Sequence, residues 1–186
     1  IKKSAYQDFQ RAANLFRTLG DIIYFEDYLD WDVERLAECY FFLRDYQASI
    51  REYKILFDKS RNKRYQAALN LGNIYDVIGD FSSAKTWFLE SQRISVNDPA
   101  AYDKLVLLHR KYGFYDDTLS WQQALMNLEC IRSSKSAMDF QVFRLATLYE
   151  EKGDYDNALN TFRYIVTERQ PDSFFAFEHL ISLLML

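Results

Sequence analysis

The stretch "KGDYDNAL", Lys152 to Leu159, decides how this chain is read. It joins a helix-ending residue, Gly153, to a capping residue, Asp154, and then to the apolar positions Tyr155 and Ala158. Glycine enters the left-handed conformation at least cost. An aspartate placed after it accepts hydrogen bonds from the first free N–H groups of a new helix. The same shape recurs in "IGDFSSAK" (Ile78 to Lys85), nearly in "LRDYQASI" (Leu43 to Ile50), and in distorted form in "YGFYDDTL" (Tyr112 to Leu119).

The turn aromatics Tyr46, Phe81, Tyr115 and Tyr155 follow one another at 35, 34 and 40 residues. Ten residues before each lie Leu36, Leu71, Leu105 and Leu145; six before lie Tyr40, Tyr75, His109 and Tyr149. Small residues come three after, at Ser49, Ala84, Thr118 and Ala158, and Tyr53, Phe88 and Phe162 come seven after. A fixed period in this range is the signature of a solenoid. Each unit reads as two antiparallel helices. Val142, Leu145, Ala146 and Tyr149 make one face of the first, and Tyr155, Ala158, Phe162 and Ile165 one face of the second. The quoted phrase is the hairpin between them.

Leu-x-x-x-Tyr, then Gly-Asp-Tyr, then Ala-x-x-x-Phe resembles the tetratricopeptide repeat (TPR), whose unit is about 34 residues. Leu71, Gly72, Tyr75, Gly79, Phe81, Ala84 and Phe88 carry it in one unit, and Leu145, Ala146, Tyr149, Gly153, Tyr155, Ala158 and Phe162 in another. The first repeat has Arg44 where glycine would stand. In the third, His109, Phe114, Thr118 and Gln122 replace Tyr, Asp, Ala and Phe. That unit also carries about six extra residues relative to the norm, placed around "IRSSKSAM", so its second helix or exit loop is expected to be longer. A change of superhelical pitch is expected between the third and fourth repeats.

The resemblance implies an all-α fold, a right-handed superhelical solenoid of antiparallel helix pairs. One array is expected over residues 1–186: the second helix of a truncated repeat at 1–20, repeats at 30–64, 65–98, 99–138 (degenerate and longer) and 139–173, and the first helix of a truncated repeat at 174–186. The start at Ile1 and the apolar, uncapped end read as a piece of a larger TPR protein. Exposed terminal helices without caps invite self-association.

Composition narrows the function classes. Hydrophobic residues make up 49%, enough for a core, and a net charge of -4 gives no overall footprint for nucleic acid. The basic run "DKSRNKRY" (Lys59, Arg61, Lys63, Arg64) reads as a solvated turn, with an RNA-binding solenoid as the less favoured alternative. The acidic "FEDYLDWDVE" reads as carboxylates complementing a helix N-terminus. No apolar run is long enough to span a bilayer, so no membrane partner is expected. Cys39 and Cys130 give no disulfide framework, which favours a reducing compartment. His109 takes a packing position and His179 stands alone, with neither at a recognisable catalytic spacing. No enzyme activity, metal or cofactor is expected.

The resemblance implies that the first helices line a concave groove that holds a partner's peptide or helix. Projected onto this chain, the groove residues are Trp31, Glu34, Glu38, Gln66, Leu69, Asn73, Asp103, Lys104, Phe140, Phe143 and Arg144. Aromatic anchors, a polar middle and charges of both signs suit a protein or peptide segment with apolar anchors and some charge. The bland alternative for each aromatic is packing within the core. The clamp that grips heat-shock C-terminal tails is matched only at Asn73 and Arg144; Leu69, Lys104 and Phe140 replace the other three polar residues, so that partner is disfavoured. The expected function is a scaffold or adaptor module within a larger assembly. The alternative is a peptide- or ligand-gated regulatory TPR domain controlling an attached output domain.

Overall fold

The computed structural model describes residues 3–20 and 26–185, and every described element is helical. The side chains of Glu26, Asp27 and Asp30, part of the acidic run, lie outside the described residues. The chain forms two compact units, residues 1–96 and 97–186.

The first unit holds α1 (Lys3–Gly20), α2 (Glu26–Phe42), α3 (Tyr46–Lys59), α4 (Arg64–Ile78) and α5 (Phe81–Ile94). Each helix packs on the next, α2 with α3 and α4 with α5 as hairpins. At both hairpins the reversal is a left-handed residue, Gly79 at φ 84° and Arg44 at φ 63°. Asp80 N–H then donates to Tyr75 O, and Asp45 N–H to Tyr40 O, each at 2.9 Å. This bond, closed from the residue past the left-handed one, satisfies a carbonyl the helix end would leave orphaned. The tyrosine six residues before the turn aromatic therefore marks the carbonyl that closes the turn. Asp45 and Asp80 go on to cap the next helix, accepting from Ala48 N–H and Ser83 N–H at 3.0 Å.

Close approach of the paired helices needs small residues, and Ser49 and Ala84 are fully buried. Ser49 adds a bond of its own, its hydroxyl donating to Ala37 O across the hairpin at 2.7 Å. The larger core gathers Ala37, Ile50, Tyr53, Leu56, Phe57, Ala67, Ala68, Leu71 and Ile74, and a smaller one joins α1 to α2 through Ala13, Leu36 and Cys39. Gly72 lies under the ring of Phe88; a Cβ there would meet Phe88 Cδ1 at 2.4 Å.

The second unit holds α6 (Pro99–Lys111), α7 (Tyr115–Met126), the short α8 (Glu129–Arg132), α9 (Lys135–Lys152), α10 (Tyr155–Tyr164) continued by a π-helical turn (Ile165–Arg169), and α11 (Phe174–Leu184). Pro99 at the first turn and the Asp98 cap on Ala100 N–H (2.9 Å) start α6. Gly113 and Gly153 reverse the chain at φ 76° and 81°. The extra residues of the third repeat form the exit segment, not a longer α7. Leu128, just before α8, and Ile131 within it are buried against Tyr102 and Leu125, and α9 starts early at the Ser134 cap.

The degenerate positions of this unit are filled by polar groups that each make a hydrogen bond, although the buried Gln122 Oε1 has no partner among the described residues. His109 is fully buried, with Nδ1 2.7 Å from Leu105 O. Thr118 donates its hydroxyl to Phe114 O at 2.8 Å. Gln122, also fully buried, donates to Gln141 Oε1 at 2.8 Å and to Gln141 O at 3.2 Å, tying α7 to α9.

Candidate partner-binding face

In the first unit, α2 and α4 are the first helices of successive pairs. Glu34, Glu38, Phe41 and Phe42 form one stripe of α2, and Gln66, Asn70, Asn73 and Ile74 form one stripe of α4. Both follow the i, i+4, i+7, i+8 spacing that places side chains on one helix face. Together with Tyr53 from α3 they line a cleft of about 430 Å³. Gln66 Nε2 donates to Asn70 Oδ1 at 3.4 Å. Tyr53, only 3% exposed, closes the floor.

The charges of the cleft are paired at its rim. Lys63 Nζ lies 2.8 Å from Glu34 Oε2, and Arg35 Nη1 lies 2.7 Å from Glu38 Oε2. Arg35 also lies over the Trp31 ring, 5.8 Å from its centroid. Burial nevertheless holds the Glu38 carboxyl above its ordinary value; Arg35 opposes the rise, and Glu34 adds to it. The Tyr53 hydroxyl is pushed far above its usual range, first by burial and then by Glu38 and Glu34. Burial also raises the Cys39 thiol, which keeps it protonated and unreactive.

Four of the projected residues, Glu34, Glu38, Gln66 and Asn73, line this cleft. Trp31 is about half exposed, with Phe16 at its edge. Leu69 is buried in the core. In the second unit, Arg144 pairs with Asp103 and is nearly enclosed, while Lys104 is half-buried. Phe143 packs edge-on against Phe162 (5.7 Å) and His179 (5.9 Å), which stack on each other, whereas Phe140 is 63% exposed. Lys63 and Arg64 of the basic run serve local structure: Lys63 pairs with Glu34, and Arg64 stacks on Phe57 at 4.5 Å. The projection omits Phe41, Phe42 and Tyr53. The two phenylalanines were readable as the next turn of the Glu34–Glu38 stripe.

Among the described residues no cluster of three or more His, Cys, Asp or Glu is arranged to hold a metal ion. No helix there is long and apolar enough to cross a membrane.

Residues 142–173 match the family model of the tetratricopeptide repeat. No curated protein matches the chain by sequence. Among solved structures, the fold is similar to the C-terminal part of a TPR repeat-containing protein from Cytophaga hutchinsonii (TM-score 0.71, 15% identity, covering 95% of this chain and 65% of that one). It is also similar to BtubC from P. vanneervenii (TM-score 0.66, 15% identity, 96% and 76% covered). A third likeness is YrrB, a TPR protein with an unusual peptide-binding site (TM-score 0.62, 14% identity, 94% and 84% covered). At these identities the likeness is one of fold. With left-handed turns and small-residue hairpins, the chain has the fold of tetratricopeptide-repeat arrays, and its residues 142–173 match that family's model.

Proposed function

We propose that this chain is a scaffold or adaptor module that holds a segment of a partner protein against its first helices, within a larger assembly. The observation that carries the reading is the cleft between α2 and α4, with polar side chains on two facing stripes. The Asn73 side chain makes no hydrogen bond among the described residues, and that of Gln66 makes a single long one. Such amides are ready to pair with the backbone of an extended peptide, while Phe41, Phe42 and Ile74 offer apolar contact. Phe140 in the second unit and Trp31 in the first are exposed aromatics of the kind that anchor interfaces. YrrB is a neighbour in fold and is a TPR protein with a peptide-binding site.

Selection of peptides from a displayed random dodecamer library on the intact chain tests the reading. A selected peptide should lose roughly tenfold or more in affinity on the Gln66→Ala/Asn73→Ala double variant, the effect of about two net hydrogen bonds. Helical content should stay unchanged, because neither amide supports the core. Equal binding by the folded double variant contradicts the reading.

A further inference from the structure

The charge of the cleft points to the chemistry of its occupant. Every cation at the rim engages the same oxygen of its carboxylate: Lys63 and, at 4.0 Å, Arg35 approach Glu34 Oε2, and Arg35 approaches Glu38 Oε2. The Oε1 atoms of both glutamates have no hydrogen-bond donor among the described residues. A carboxylate has about four acceptor sites, so each retains most of its capacity. The Glu34 side chain is only 6% exposed and lines the cleft. A donor brought to such an oxygen by a ligand forms a charge-assisted hydrogen bond, stronger than one between neutral groups.

We propose that the α2–α4 cleft selects an arginine or lysine side chain of the partner segment, received by Glu34 and Glu38 with its aliphatic stem against Phe41 and Phe42. This specificity rests on the reading that a partner segment lies along the first helices. Two further observations support it. Tyr53 at the floor is pushed towards its protonated form first by burial and then by Glu38 and Glu34, with Arg35 opposing them less. Glu38 is undercompensated, because burial outweighs Arg35 in setting its protonation. A guanidinium brings five donors and no acceptor to this acceptor-rich wall, and its flat face stacks on aromatic rings. The same carboxylates repel a C-terminal carboxylate or an acidic peptide. The preferred partner therefore has the opposite charge to the heat-shock tails that other arrays grip.

Acetylated, amidated nonapeptide pools test the proposal, with the central residue fixed as Arg, Lys, Gln, Leu or Glu and the other positions degenerate. Retention is measured on the immobilised intact chain. The Arg and Lys pools should be retained about fivefold over the Gln pool, with the Glu pool lowest, and the preference should shrink as salt rises. Glu38→Gln should bring the Arg pool to within about twofold of the Gln pool, while Glu38→Asp keeps most of the preference. Retention with no Arg or Lys preference, a Glu preference, or a preference untouched by Glu38→Gln overturns this specificity and leaves the groove reading standing. Retention of no pool overturns both.

Discussion

The hairpins at Gly79–Asp80 and Gly113–Phe114 turn through the same backbone with different side chains. In each, a left-handed glycine is followed by an N–H donating five residues back at 2.9 Å, to Tyr75 O in one and His109 O in the other. Downstream they part. Asp80 caps its helix and Phe88 fills the space opposite Gly72. Phe114 offers no cap, and Gln122 stands where the phenylalanine would be. The comparison separates two jobs that the repeat phrase performs together. The left-handed residue and its carbonyl partner decide the turn, whereas cap and aromatic add stability and are replaceable if a buried polar substitute brings a partner.

The largest expected effect sets the two packing solutions against each other. Phe88→Ala should cost about 3–5 kcal/mol in urea unfolding followed by helical signal, because a fully buried ring leaves a cavity. Gln122→Ala should cost less, about 1–3 kcal/mol, chiefly from leaving Gln141 without its donor. Equal costs would mean that the amide pair packs as strongly as the ring, which would erase the distinction.

Gly72→Ala comes next. Its Cβ would overlap a ring only 1% exposed, so a loss of about 1–3 kcal/mol is expected although alanine favours helix. At the corresponding place in the fourth repeat the chain already has Ala146, fully buried beside Phe162. Stabilisation by Gly72→Ala would show that the Phe88 ring is free to move.

Two substitutions should repair damaged phrases. Arg44 holds φ 63° without glycine's freedom, so Arg44→Gly should stabilise the first hairpin by about 1 kcal/mol. Phe114→Asp should supply the missing cap and stabilise by about 1 kcal/mol. Both are read as an upward shift in the unfolding midpoint. No shift for Phe114→Asp would mean that loss of the Phe114 ring's contact with His109 offsets the gain of the cap.

The smallest effect is one of pH. The backbone N–H of Ser83 holds the Asp80 carboxyl below its ordinary value of 3.8. Its contribution is thus complete above that value and fades as pH falls through the lower, folded one. Asp80→Asn should keep a cap and lose this part of the acid dependence. An unchanged acid profile would mean that the carboxylate's charge plays no part.

The fold was legible because its determinants are local. Gly79, Gly113 and Gly153 each sit within a few residues of the carbonyl that completes the turn, and Gly79 and Gly153 directly precede a capping aspartate. The replacement at Gln122 was legible only as damage, since its partner Gln141 lies on another helix with no local signal between them. For the candidate face, fixed positions in the repeat located Glu34, Glu38, Gln66 and Asn73, but they also gave Leu69 and Phe143, which face the core. Leu69 is buried and Phe143 packs on Phe162, while Glu34 is ion-paired with Lys63. Tyr53 was readable as a packing residue and also forms the floor of the cleft. Its second role depends on two glutamates from a different helix.

The central claim is that partners are held by first helices, and backbone amide NMR with a selected dodecapeptide tests it most directly. The account predicts the largest shifts at Glu38, Gln66, Asn70 and Asn73 of α2 and α4. Shifts concentrated instead at Lys54 and Ile55 of α3 and Thr86 of α5 would contradict it.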